Sequence, residues 1–346
     1  SASTRPPSRA PAPRAPPSPT PPPPPALLTP QAPDETDPRR AIEARLRDGA
    51  PLTGIPLAGA DLSDLDFGGR SLAAADLSGA RLARCRFAGS NLSRAKLTGA
   101  DLTGADLTGA DLTGADLERA NLVAALLERA DLTGAHLTDI DLSRAAASAA
   151  ILRDTHGVRP RFTGAILHGA LFDGAHLEWA DFGAASLDDA SFTRAELPDV
   201  RLHDAKGRSV RFDQATLEGA RAEGATLPHA SLRAARADRS TWDKATLDDA
   251  IFDGATLARS SFTRASAERA SFEGAVLVDA QLVRAKLTGA RFAHANLTRA
   301  SLEGADLTDA DLTGANLHAA ETWKAKLARA RLEGAILTQT KLKDRS

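Results

Sequence analysis

From Leu52 to Leu342 the chain places Leu or Phe at every fifth position without one slip of register. Only Ala147, Gly157, Gly207, Ala222, Ala237, Trp242, Ala267 and Thr322 depart from those two types, and all 11 Phe of the chain stand on the register. Ala is the usual residue two positions earlier, as at Ala100, Ala105 and Ala110, with a polar residue, most often Asp, in between. Of the 26 Gly, 22 sit at the phase two positions after the Leu register. A helix needs an apolar period of about 3.6 and a strand one of about 2. A period of five satisfies neither over such a length. It fits a short extended piece followed by a turn, repeated. Residues two apart on an extended piece share a face, so Leu and Ala point inward together and the polar residue points out. Gly after the Leu supplies the backbone freedom that a tight turn requires.

Residues twenty apart carry a second signal. Phe172, Phe192, Phe212, Phe252, Phe272 and Phe292 fall in one such column, interrupted by Leu232, and Phe162, Phe182 and Phe262 fall in the column ten residues out of phase. A bare period of five would scatter Phe evenly over four columns. A coil of twenty residues, with Phe ladders on facing walls, accounts for the bias. Adjacent coils are then expected to hydrogen-bond at about 4.8 Å.

The repeat A(D/N)L(T/S)(G/R), purest in ADLTGADLTGADLTGADL at residues 100–117, resembles the pentapeptide-repeat family. The resemblance spans about residues 50–342. It implies an all-β fold: a right-handed quadrilateral parallel β-helix with four pentapeptides per coil. About fifteen such coils make a rod of roughly 70 Å at strand spacing.

Three segments are expected. Residues 1–36 hold most of the chain's 20 Pro, including the run Pro21 to Pro25, and read as a disordered polyproline-II linker to a fused upstream domain or partner. Residues 37–49 read as a short helix that caps the first coil. Asp37 suits the N-cap, Pro38 the first turn and Gly49 the position after the end, while Ile42 and Leu46 share a face. Residues 50–346 form the β-helix.

A net charge of −2 argues against direct nucleic-acid binding by the whole chain. No run of eighteen apolar residues offers a membrane span, and the single Cys excludes an internal disulfide framework. No signal peptide is visible, and the cytoplasm is favoured over export.

A Leu/Ala-filled interior leaves no cleft for catalysis, so neither catalytic residues nor a cofactor are expected. Cys85 replaces an inward Ala and reads as a small buried filler. His136, His156 and His176 are twenty apart and stack, which suits a transition metal or reflects free variation of outward positions. Asp101, Asp106, Asp111 and Asp116 form an acidic belt. Some pentapeptide-repeat relatives present a DNA-like acidic rod to type II topoisomerases such as gyrase. The belt here is short, and Arg201, Arg208, Arg211 and Arg221 follow it.

The middle of the repeat breaks the pattern. Leu126 and Ile166 share one outward column and Ile151 and Leu171 the next, with Trp179 at a nearby turn, one coil from Arg159 and in reach of a cation–π contact. These residues read as a protein-binding patch or as a satellite core covered by a bulge at Asp154 to Pro160. The expected function is a non-enzymatic, rod-like interaction scaffold with an unidentified protein partner. A short helix leading into such coils resembles the C-terminal modules of bacterial proteins associated with type VI secretion.

Overall fold

The computed structural model describes Ala2 and residues 37–340. The proline-rich linker assigned to residues 1–36 and the chain's last six residues lie outside that description. The account below concerns the unit beginning at Pro38.

Each polar residue between Ala and Leu forms a parallel bridge with its counterpart twenty residues on. Asp61 pairs with Arg81, Asp66 with Arg86, Ser71 with Asn91 and Asp76 with Lys96, and the pattern continues to Asn316 and Ile336. Four bridge columns therefore run along the coils. The backbone supplies the bonds in both directions: Leu62 N donates to Arg81 O at 2.8 Å, and Arg81 N to Ala60 O at 2.9 Å. The extended pieces are so short that only two count as strands, β1 (His156–Val158) and β2 (His176–Glu178).

Turns close the five-residue units. Ala75 N donates to Leu72 O at 3.0 Å across one of them. The residue before that donor, Ala74, has φ of 54°. A positive φ at this place is the mark of a type II turn, which glycine fits best. Among the described residues 22 Gly and 37 others take positive φ, and every one stands at this phase. Arg and Asp dominate the non-glycine set. Each pays a local conformational cost of about 1 kcal/mol that the coil-to-coil bonds offset.

The inward residues make one continuous apolar cluster from Ile42 to Ala320. Facing Phe ladders fill it as the columns require. Phe172 stacks on Phe192 at 4.7 Å and 9°, while Phe162 meets Phe172 edge-on at 5.4 Å and 88°. Trp242 joins the second ladder, stacked on Phe262 at 6.3 Å. Its indole N–H donates to Ser240 Oγ at 2.7 Å, and Ser240 in turn donates to Ala237 O at 2.6 Å. Ser stands there in the place of Ala because a buried indole needs an acceptor.

One helix, α1 (Pro38–Asp48), precedes the coils. Ile42 is buried and Leu46 packs against the same apolar cluster. Arg39 donates to Ser63 O at 3.0 Å, and Arg70 reaches back to Leu46 O at 2.5 Å. The second bond satisfies a carbonyl of the last helical turn.

The positions that lack Leu differ in how they are filled. Beside Ala147 a void of about 10 Å³ remains, lined among others by Leu127, Leu132 and Phe162. At Gly157 the backbone of the preceding coil leaves no room for a side chain: a Cβ there would lie 2.6 Å from Leu137 C and 2.7 Å from Thr138 N. The expected bulge at Asp154 to Pro160 does not form. This segment keeps the register, pairing His156, Gly157 and Val158 with His176, Leu177 and Glu178. Gly157 is a close-approach residue, and adding even one methyl group must push two coils apart. We expect Gly157→Ala, a step toward the repeat's own apolar residue, to lose about 1–3 kcal/mol in thermal or urea melts. A gain in stability would show that the glycine is merely a missing side chain.

Candidate interaction surfaces

With Leu and Ala inward, what remains for function is the outer faces and corners. Outward residues of one column are bridge partners, so chemistry accumulates along columns rather than along the sequence.

The apolar patch is where the phases put it. Leu126, Ala146 and Ile166 are successive bridge partners, and Ile151 pairs with Leu171 on the next face. Leu126 is 43% and Ile166 44% exposed, whereas Ile151 and Leu171 are half-buried. Among the described residues no loop covers Leu126 or Ile166, so the satellite-core reading fails: the segment that would cover them is paired in β1. Trp179 is 45% exposed but does not share this surface. It occupies the corner beyond the His176 face, so a whole face separates it from Leu171. Its indole donates to Asp199 Oδ2 at 3.2 Å. The expected contact with Arg159 is absent, because that guanidinium grips Asp139 through two bonds of 2.9 and 3.0 Å. A cleft of about 540 Å³ opens beside Trp179, bounded by Arg161, Arg201 and Arg221. A second, also about 540 Å³, adjoins the far end of the Leu171 column and is bounded by Arg153, Arg194 and Arg211.

The acidic belt is more structural than its charge suggests. Asp106 Oδ1 accepts from Thr108 N at 3.0 Å and Asp111 Oδ1 from Thr113 N at 2.9 Å. Asp101 accepts from Thr103 N at 3.1 Å, and Asp116 from Glu118 N at 3.1 Å. Each carboxylate thus holds the turn that follows it, the Asx habit that makes Asp suit this phase. Three of the four also bridge cationic neighbours one coil earlier: Arg81, Arg86 and Lys96. In those three columns the charge changes sign from one coil to the next.

The corners hold a device that sequence inspection missed. Five Asp/Arg pairs twenty apart lie on the positive-φ phase: Asp64 and Arg84, Asp139 and Arg159, Asp249 and Arg269, Asp279 and Arg299, Asp309 and Arg329. Each is a two-pronged bond, as in Arg299 Nε to Asp279 Oδ1 at 2.7 Å and Nη2 to Oδ2 at 2.8 Å. In all five the Asp precedes the Arg by one coil. The readable signal was Asp at the glycine phase followed by Arg at twenty.

The histidines meet as well. His136 Nε2 and His156 Nε2 are 2.8 Å apart, and His176 Nδ1 lies 2.9 Å from Glu196 Oε2. Partial burial pushes the His156 imidazole below its ordinary pKa, and the neighbouring His136 pushes it the same way. Cys85 is inert: burial lifts its thiol to about 11, and the thiol donates to Leu62 O at 3.0 Å.

A family model described as "Pentapeptide repeats (8 copies)" matches residues 71–109, 110–146, 140–178, 175–206, 243–279, 280–318 and 305–344. The chain belongs to the pentapeptide-repeat family. Among solved structures it is similar to HetL, a pentapeptide-repeat protein involved in heterocyst differentiation regulation in Nostoc sp. strain PCC 7120. That match has 27% identity over 86% of this chain and 95% of HetL, with a TM-score of 0.20. A pentapeptide-repeat protein of the Arabidopsis thaliana thylakoid lumen is 34% identical over 33% of this chain and 66% of its own, at a TM-score of 0.22. QnrB1, a plasmid-mediated fluoroquinolone resistance protein, is 19% identical over 60% of this chain and 90% of its own, at 0.29. TM-scores this low carry no weight beyond the shared repeat. No curated protein matches the chain.

The corner pairs generate a pH dependence. In each, the Arg bond holds the Asp carboxyl below its ordinary range. A depressed carboxyl contributes stability that is present above the unfolded value of about 3.9 and is lost as pH falls through the folded value. All five pairs face solvent, so each contribution is small. The melting temperature should stay level from pH 7 to about 5 and fall below about 4. Asp279→Asn with Asp309→Asn should shrink that acid-side fall, and an identical fall in the double variant would show that the pairs add nothing.

Proposed function

We propose that the chain is a non-enzymatic, rod-like protein–protein interaction scaffold, and that the two adjoining faces bearing Leu126 and Ile166 and bearing Ile151 and Leu171 receive its protein partner. One observation carries this reading: exposed Leu and Ile stand where the repeat elsewhere places Asp, Asn, Ser or Arg, and nothing in the described structure covers Leu126 and Ile166. Burying each such side chain against a partner would contribute up to about 1.5–3 kcal/mol, enough together to outweigh much of the cost of association. The clefts lined by Arg194 and Arg211 on one side and by Arg201 and Arg221 on another give the partner polar rims.

Ile166→Ser with Leu171→Ser tests the surface. The double variant should melt as the parent does, because the changes touch an outer face. It should lose a partner that the parent retains in affinity capture followed by mass spectrometry, and a variant altered at the distant Ile336 should keep it. Equal capture by all three would end the proposal. The alternative, gyrase binding through Asp101, Asp106, Asp111 and Asp116, is disfavoured by the Arg81, Arg86 and Lys96 partners beside three of the four. It becomes the better reading if the purified chain inhibits gyrase supercoiling at micromolar concentration and loses that effect when the four Asp are neutralised.

The finer architecture is part of the same reading. The coils wind as a right-handed, four-sided rod, a sense that a crystal structure reads directly. Helix α1 acts as the cap of the first coil, shielding apolar ends that a solenoid otherwise exposes. Ile42→Asp should then lower the melting temperature by several degrees, through loss of about 2–4 kcal/mol. Unchanged melting would remove the capping role. A helix leading into such coils also supports a secretion-associated adaptor, which co-purification with secretion components would test.

A further inference from the structure

We propose that His136 and His156 form a binding site for one borderline transition-metal ion of the Zn²⁺, Ni²⁺ or Cu²⁺ class on the outer face of the coils. The two residues are bridge partners one coil apart, so backbone register fixes their side chains next to each other. Ordinary coil spacing alone would leave the rings about 4.8 Å apart. Here the ring centroids are 3.8 Å apart at 68°, and the two Nε2 atoms face each other at 2.8 Å. The core beside them also departs from the repeat. A Cβ on Gly157 would meet the backbone of Leu137 and Thr138. Thr155, in the place of an inward Ala, is buried and ties its hydroxyl to Leu152 O at 2.8 Å. The two nitrogen donors thus meet on the surface beside a local departure of the core from the repeat.

Two facing imidazole nitrogens have only two stable arrangements. One ring carries a proton on Nε2 and donates to the other, or a cation replaces that proton and binds both lone pairs. Zn–N bonds of about 2.0–2.1 Å at a tetrahedral angle put the two nitrogens about 3.3 Å apart, so a small opening of the rings suffices. Imidazole donors suit Zn²⁺, Ni²⁺ and Cu²⁺ and do not suit Mg²⁺ or Ca²⁺, which take oxygen ligands. His176 does not complete the set, because its Nδ1 is engaged by Glu196 at 2.9 Å. Among the described residues no three His, Cys, Asp or Glu side chains converge on one point. The ion therefore has two protein ligands, and its remaining positions take water or a donor from another molecule. Both histidines are exposed, so the ion needs no entry path.

The test is isothermal titration of the full chain with ZnCl₂, NiCl₂ and MgCl₂ at pH 7.5 in a non-chelating buffer. One Zn²⁺ or Ni²⁺ per chain should bind and Mg²⁺ should not. His136→Ala and His156→Ala should each weaken binding at least tenfold, whereas His176→Ala should change it less than threefold. Zn²⁺ affinity should also drop at pH 5.5, where protons compete for the same nitrogens. Circular dichroism would establish that each variant folds. No binding by the intact chain overturns the proposal, as does binding unchanged in the His136→Ala, His156→Ala double variant. A loss on His176→Ala as large as on His136→Ala overturns the two-histidine assignment.

Discussion

The hydrogen bond from each coil to the next, twenty residues on, is the interaction on which everything else rests. With so little helix or long strand in the described residues, the backbone polar groups of the coils have few other partners. An unmade bond inside the stack costs about 1–3 kcal/mol, so every coil is held to the length of its neighbours. That is why the register runs from Leu52 to Leu342 without an insertion. It is also why Arg, Asp and even Trp179 accept a positive φ at the corners: the coil spacing fixes the turn, and the side chain adapts to it.

This dependence explains what was legible from sequence. The five-residue period gave the inward and outward phases, and the Phe columns gave the coil of twenty. Stacked rings such as Phe272 on Phe292 at 4.8 Å follow from those two periods alone. Helix α1 was legible from its flanking Pro and Gly, because capping preferences are local. The corner pairs were missed although their signal was present, since Asp279 and Arg299 look like ordinary surface charge until φ and the twenty-residue step are considered together. Of the two readings open for Asp154 to Pro160, the covering bulge does not form, because the segment keeps its backbone pairing with His176–Glu178. The reach of Trp179 was misjudged because distance in coils ignores the corners. It stands close to Leu171 in sequence yet one face round the perimeter.

An outer face built this way separates stability from recognition. The bridging residue contributes its backbone to the fold whatever its side chain, so Asp, Arg, Ile or His is accepted equally in a column. The exposed carboxylates are a partial exception. Through bonds such as Asp111 to Thr113 N they stiffen the following turn, so Asp at this phase is as much a turn residue as a charge. For this reason the acidic belt is poor support for a charge-based function. Leu126 and Ile166 have no such structural use, and their exposure asks for a different cause.

The irregular middle of the chain joins the two levels. Ala147 and Gly157 are consecutive departures, one step of ten apart, from the inward Leu on one stretch of the core, and the outward departures cluster around them: Ile151, His156, Ile166 and Leu171. In a close-packed solenoid a change inside is not contained, because each coil can relax only against its neighbours. Gly157 fits directly against the backbone of Leu137 and Thr138, and beside it His156 meets its bridge partner His136. A substitution at an inward residue here must be accommodated by the same coils that carry the outward departures, whereas in the regular ADLTG coils it meets only consensus neighbours.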